Sequence, residues 1–238
     1  MIKQQTAGKI YPAEMWSHHK SSALTAYAMC LYNEEKRQHE NVPLLEFNNE
    51  IIAAEHIISF EAYCSQILFL LPIHGSLKYS DSHDSSYVIS PETFFAQELH
   101  KGDKIEVSNI HSVGVNYIRI IMNTDVVFPL STEINSYNTE NPRNKNRLIK
   151  IFKTGHPAVI GSFKKISIGK FAERGNATYI LKNKNDIKCL FYVISGEFEI
   201  GGRLLHKKDG LILWNTDSIE IESLCPDAIL LVIEYGYI

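Results

Sequence analysis

The sequence predicts a mostly β chain built as two successive β domains, and three observations predict it. Runs that alternate charged and apolar residues prevail in both halves, which is the period-2 signature of half-buried strands. Tight turns rich in Gly, Asn and Asp separate these runs at a rhythm typical of a sandwich or barrel rather than of βαβ units. Between the halves, residues 131–147 are polar, Asn-rich and almost without large apolar side chains, which is linker chemistry. The 238 residues suffice for two domains of ordinary size.

Taken in order, 66–71 reads as a buried strand, His74-Gly75 as a turn, and 76–79 as its return by alternation. Residues 87–89, 104–107 and 116–122 are further strands of the first half, punctuated by Gly102-Asp103. The second half is clearer. The β-branched and aromatic run 188–194 stops at Ser195-Gly196, and 197–200 alternates. Gly201-Gly202 makes a two-residue hairpin turn, because glycine reaches positive φ without a Cβ clash. Strands at 203–206, 211–214 and 219–224 follow, and 228–233, apolar on both faces, reads as a central strand. The helical period is nearly absent; its best candidate is 146–152 at the junction.

Composition narrows the classes. A 45% hydrophobic and 21% charged chain is globular, and a net charge of -3 argues against a general nucleic-acid binder. The Lys/Arg-rich piece 142–150 is a solvated connector. The first residues show no apolar signal core, and the most apolar run, 67–73, is too short to span a bilayer. A cytoplasmic protein without membrane contact is therefore expected. Cys30, Cys64, Cys189 and Cys225 form no Cys-x-x-Cys pair and are expected reduced. No nucleophile elbow, phosphate-binding loop or dinucleotide fingerprint is present.

Residues 189–205, followed by Lys208-Asp-Gly-Leu-Ile-Leu213 and the apolar 228–234, resemble the C-terminal cupin of pirin-related proteins. In the first half, Leu70-Leu-Pro-Ile-His-Gly-Ser-Leu-Lys-Tyr-Ser-Asp81 sits where members carry a Gly-Glu hairpin, and Asn116-Tyr-Ile-Arg-Ile120 resembles the strand that closes their first barrel. The likeness runs from about Lys9 to Ile238. It implies an all-β bicupin, two jelly-roll-type barrels in tandem, with an N-terminal barrel over 1–135, a linker over 136–147 and a C-terminal barrel over 148–238. It also implies an iron-type metal in the first barrel, held in catalytic members, including quercetin 2,3-dioxygenases, by a His-x-His pair and a later His-x-Glu pair. Alternate strand residues face one side, so each pair presents two ligands inward, and imidazole with carboxylate suits iron.

Counted back from Gly75, the His-x-His positions fall on Glu61 and Tyr63; counted back from Asn109, the His-x-Glu positions fall on Ile105 and Val107. None is histidine, and no His-x-His exists anywhere in the chain. Glu61, Tyr63, Ile105 and Val107 are therefore the candidates for lining a ligand pocket, whose apolar pair favours a small apolar or aromatic molecule over an ion. No cofactor is expected. The alternative is iron or another divalent metal on a diverged set of Glu61, His56 and His111. Cys64 reads as buried and inert, His18-His19 as loop residues, and 182–187, where the second barrel would hold ligands, as ligand-poor. Three functions follow from these expectations. The first is a pirin-like binding protein with little or no catalysis, the second a diverged metal-dependent dioxygenase, and the third a regulatory protein-interaction module.

Overall fold

The computed structural model describes residues 6–29, 44–123, 132–153, 163–181 and 187–236. Among them the regular elements are antiparallel strands and two short 3-10 turns, and no helix is long and apolar enough to cross a membrane. The strands are β1 (Gly8–Tyr11), β2 (Ser17–Lys20), β3 (Leu24–Ala28), β4 (Leu44–Ile52), β5 (Ile57–Glu61), β6 (Gln66–His74), β7 (Leu77–Asp81), β8 (Ser86–Ile89), β9 (Thr93–Leu99), β10 (Lys104–Asn109), β11 (Val115–Asn123) and β12 (Glu133–Ser136). Then come β13 (Ile149–Lys153), β14 (Phe163–Phe171), β15 (Asn176–Ile180), β16 (Ile187–Ser195), β17 (Phe198–Ile200), β18 (Arg203–Leu205), β19 (Gly210–Trp214), β20 (Ser218–Ser223) and β21 (Ala228–Gly236).

Strands β2 to β12 make one compact unit. Its larger sheet runs β12-β9-β6-β11-β4-β3-β2 and its smaller one β5-β10-β7-β8. The two sheets enclose one apolar core, in which Leu68 and Leu70 of β6 meet Leu77 and Tyr79 of β7 and Ile105 and Val107 of β10. Each such side chain contributes about 1.5–3 kcal/mol on leaving water. β1 and β13 to β21 make the second unit, with sheets β1-β19-β16-β21-β14-β13 and β15-β20-β17-β18 around a core that includes Phe171, Phe191 and Phe198. Both units are jelly-roll-type barrels.

The barrels repeat one strand order. Leaving out the edge strand β2, each slot of the first barrel has a counterpart in the second, down to the pairs β5-β10-β7-β8 and β15-β20-β17-β18. The glycines after β6 and β16 mark the shared register. Gly75 (φ 78°) and Gly196 (φ 79°) both take left-handed backbone, where an added Cβ would come within 2.7 Å of Val115 and 2.6 Å of the Cys225 sulfur.

Two expectations need correction. The stretch 146–152 is not helical: Ile149–Lys153 is strand β13, paired with β14, and a β-branched Ile-x-Ile alternation outweighs the weak helical spacing. A boundary that places residues 1–135 in one barrel also fails at its start. Gly8–Tyr11 pairs with β19 of the second barrel and fills the edge slot that β12 fills in the first. The connector residues 138–147 are exposed in part but tied down. Asn146 accepts from the Ala172 amide, and Lys170 bridges Glu140.

Candidate functional site

Strand β5 decides which side chains can enter the first barrel. Ile57, Ser59 and Glu61 are exposed, whereas Ile58 and Phe60 pack against the core and Ala62 lies within it. Glu61 and Tyr63, the latter 56% exposed, therefore point away from the barrel interior. Counting back from Gly75 crosses the bend at residues 63–65, where strand alternation is not kept. Ile105 and Val107 do point inward, and both are fully buried in the core.

The outer face of the same strands borders a groove. This groove, of about 610 Å³, is bordered by Ser59, Phe60 and Glu61 of β5, Ser80 and Asp81 of β7, Ser82, and Lys104, Ile105 and Glu106 of β10. The register sets Glu61 opposite Lys104, and Glu106 between Ser59 and Ser80, so carboxylates, hydroxyls and one ammonium share the outer face. At its mouth Asp81 accepts from the amides of His83 (2.9 Å) and Ser85 (3.0 Å) and from the Tyr79 hydroxyl (3.2 Å). Burial first, then Asp81, raises the Tyr79 phenol and keeps it neutral. Asp103 closes the neighbouring turn, accepting from the His100 amide at 2.7 Å and meeting His83 Nε2 at 3.2 Å. Burial works against its charge, but the His100 amide and His83 outweigh it and hold the carboxyl below its usual range.

Among the described residues, the inward face of β4 and β11 carries a charge cluster. Arg119 of β11 donates from Nε (3.0 Å) and Nη2 (2.8 Å) to Glu50 Oε1, and from Nη1 to Glu46 Oε2 (2.9 Å). Tyr117 donates a short hydrogen bond to Glu50 Oε2, and Asn48 donates to Glu46 at 3.2 Å. The Glu50 side chain is 3% exposed. The Arg119 guanidinium lies 5.2 Å over the ring of Phe60. Burial lowers the arginine's hold on its proton, but the two carboxylates more than reverse this and raise its pKa. Burial, then Glu50, raises Tyr117 far above an ordinary phenol. The sequence carried a readable signal for this cluster: Glu46-x-Asn48-x-Glu50 and Arg119 break apolar runs at alternate positions, and polar groups there must find partners.

The diverged metal set is not assembled. His56 and His111 stand at the start of β5 and just after β10; Glu61 ends β5, about five residues and so roughly 16 Å away along the strand. His56 Nδ1 meets the Ala54 carbonyl at 2.7 Å, and His111 Nε2 accepts from the Ser76 amide at 3.1 Å. Among the described residues no group of three His, Cys, Asp or Glu could share a metal ion. The inward positions of β5 and β10 (Ile58, Phe60, Ala62, Ile105 and Val107) carry no donor atoms, so the residues present do not fit the metal that the resemblance implies. Cys64, half-buried, sits 3.8 Å from Gln66 Oε1 with its thiol raised by burial, as an inert cysteine would. His18 and His19 lie on strand β2 rather than in a loop, His18 stacked on Tyr27. Cys30 and residues 182–186 lie outside the described residues.

Comparison with known proteins agrees with this architecture. Residues 156–234 match the quercetinase C-terminal cupin domain. No curated protein matches the sequence. Among solved structures, YhhW from Escherichia coli superposes with a TM-score of 0.74 at 13% identity, over 95% of this chain and 97% of that one. The bacterial pirin YhhW in complex with nickel(II) does so at 0.74 and 15%, over 95% and 98%. A quercetin 2,3-dioxygenase from Acinetobacter baumannii gives 0.68 at 12%, over 97% and 79%. With its repeated strand order and its matching C-terminal segment, the chain is a pirin-related bicupin in fold.

Proposed function

We propose that this chain is a small-molecule-binding bicupin with little or no catalysis, whose first barrel holds no tightly bound metal. The observation that carries the reading is the alternation of β5 and β10, which packs ligand-free apolar side chains inward and turns Ser59, Glu61, Lys104 and Glu106 outward into a groove. The three serine hydroxyls, three carboxylates and one ammonium that border it match a small molecule carrying hydroxyl or amino groups.

Metal analysis of untagged protein tests the first half of the reading. Far less than one iron, nickel, copper or zinc per chain is expected, unchanged in Glu61→Ala, with no oxygen uptake above background when quercetin is added. Thermal-shift screening with polyhydroxylated compounds and small amines tests the second half. A stabilising compound should lose its effect in Glu61→Ala and Glu106→Ala. Stoichiometric metal that disappears in Glu61→Ala or His111→Ala would overturn the reading in favour of a metal-dependent oxygenase.

A further inference from the structure

The interior charge cluster of the first barrel has a counterpart in the second, and the strand registers show how close it is. Two residues after each shared glycine, Leu77 pairs with Asn109 and Phe198 with Ser223. Two further on, Tyr79 pairs with Val107 and Ile200 with Ile221. One inward position beyond, Ile105 pairs with Phe60 and Ile219 with Tyr179. Phe60 and Tyr179 therefore hold the same place in their barrels. Over each ring stands a side-chain cation: the Arg119 guanidinium at 5.2 Å and the Lys165 ammonium at 4.7 Å. Each is neutralised by carboxylate from the larger sheet, Arg119 by Glu50 and Glu46, and Lys165 by Glu234 at 2.9 Å. The strands differ, however. The base is on β11 and the acids on β4 in the first barrel, while the base is on β14 and the acid on β21 in the second. One outcome reached from different strands points to a requirement of the site rather than to a copied sequence.

We propose that the Arg119 guanidinium is the resident cation of the first barrel, filling the space between Glu46 and Glu50, and that removing it uncovers a latent site for a divalent cation. The inference rests on the reading that the native barrel is metal-free. A buried arginine is the side chain suited to this place, since its planar fork serves two carboxylates at once and its face stacks on Phe60. Without it, one deeply buried and one partly exposed carboxylate would face each other unneutralised. The donors left behind (Glu46, Glu50, Asn48 and Tyr117) offer oxygen rather than imidazole, so the uncovered site would take a hard cation such as Mn²⁺ or Ca²⁺.

The test compares chelator-stripped wild type, Arg119→Ala and Arg119→Ala/Glu50→Gln by thermal melting and titration calorimetry with MnCl₂ and CaCl₂. Arg119→Ala should melt roughly 10 °C below wild type and recover at least half of that loss on addition of either salt, with one ion bound per chain. Wild type should not respond, and the double variant should melt above Arg119→Ala and bind no ion. If Arg119→Ala does not fold, Arg119→Met, which keeps the stem over Phe60 and removes the charge, stands in for it with the same outcomes. A charge-removed variant that neither cation stabilises, or a double variant that responds equally, would overturn the inference. Stoichiometric metal in wild type would instead overturn the metal-free reading, so the two failures are told apart.

Discussion

Ile105 and Tyr63 show how one side chain's direction changes its meaning. Ile105 is fully buried among Leu77, Tyr79 and Phe95, whereas Tyr63 stands 56% exposed beyond the end of β5. Truncation of Ile105 to Ala should cost about 2–5 kcal/mol, because it removes buried methylenes and leaves a cavity. Truncation of Tyr63 should stay within about 0.5 kcal/mol. Chemical denaturation of both variants checks the contrast, and equal losses would mean that β5 and β10 face differently from the register given above. Sequence reading located Ile105 and Val107 as inward residues because their strand alternates cleanly. It misjudged Glu61 and Tyr63 because a bend intervenes between them and the glycine used to count. The Glu50–Arg119 pair was harder to see, since its partners lie 69 residues apart and only the β4·β11 pairing brings them together.

Among the elements, the turn between β9 and β10 carries a testable pH dependence. Asp103 binds the His100 amide and meets His83, and its carboxyl is held below the usual range. A depressed carboxyl contributes stability that is present above its unfolded pKa, about 3.9, and lost as pH falls through the folded value. Asp103→Ala should therefore be less stable than wild type by about 1 kcal/mol at pH 6, and the gap should narrow as pH falls below the unfolded value. A gap that persists at acid pH would assign the residue a packing role instead. The strands themselves were legible wherever apolar and charged residues alternate, as in β10, β17 and β20. β13 was missed because two isoleucines and a phenylalanine spaced by lysines satisfy both periods over so short a run.

At the scale of the whole molecule, two β units in tandem follow from the turn rhythm, but their membership does not. Nothing local in Gly8–Tyr11 names β19 as its partner; only the empty edge slot beside β19 does. Beyond the ladder, Ala13 donates its amide to Asp209 Oδ1 at 2.8 Å, which anchors the same segment. A chain beginning at Trp16 should lose about 2–4 kcal/mol, a few hydrogen bonds' worth, and the loss should fall on one unit. Hydrogen exchange should quicken in β19 and leave β6 and β9 unchanged. Equal quickening in both units would show that β1 does not act as the second barrel's edge strand.

That edge strand also sets an order of assembly. Gly8 pairs with Leu213, so β1 is synthesised roughly 200 residues ahead of the strand it completes. The strands of the first barrel, β2 to β12, are all made before the ribosome reaches β16, but the second barrel cannot be finished from its own later stretch. Its last hydrogen bonds close a loop of roughly 200 residues, a slow kind of contact to make. Until that loop closes, β19 presents an open flank to any extended peptide nearby, and the leading segment serves as the chain's own guard against mispairing.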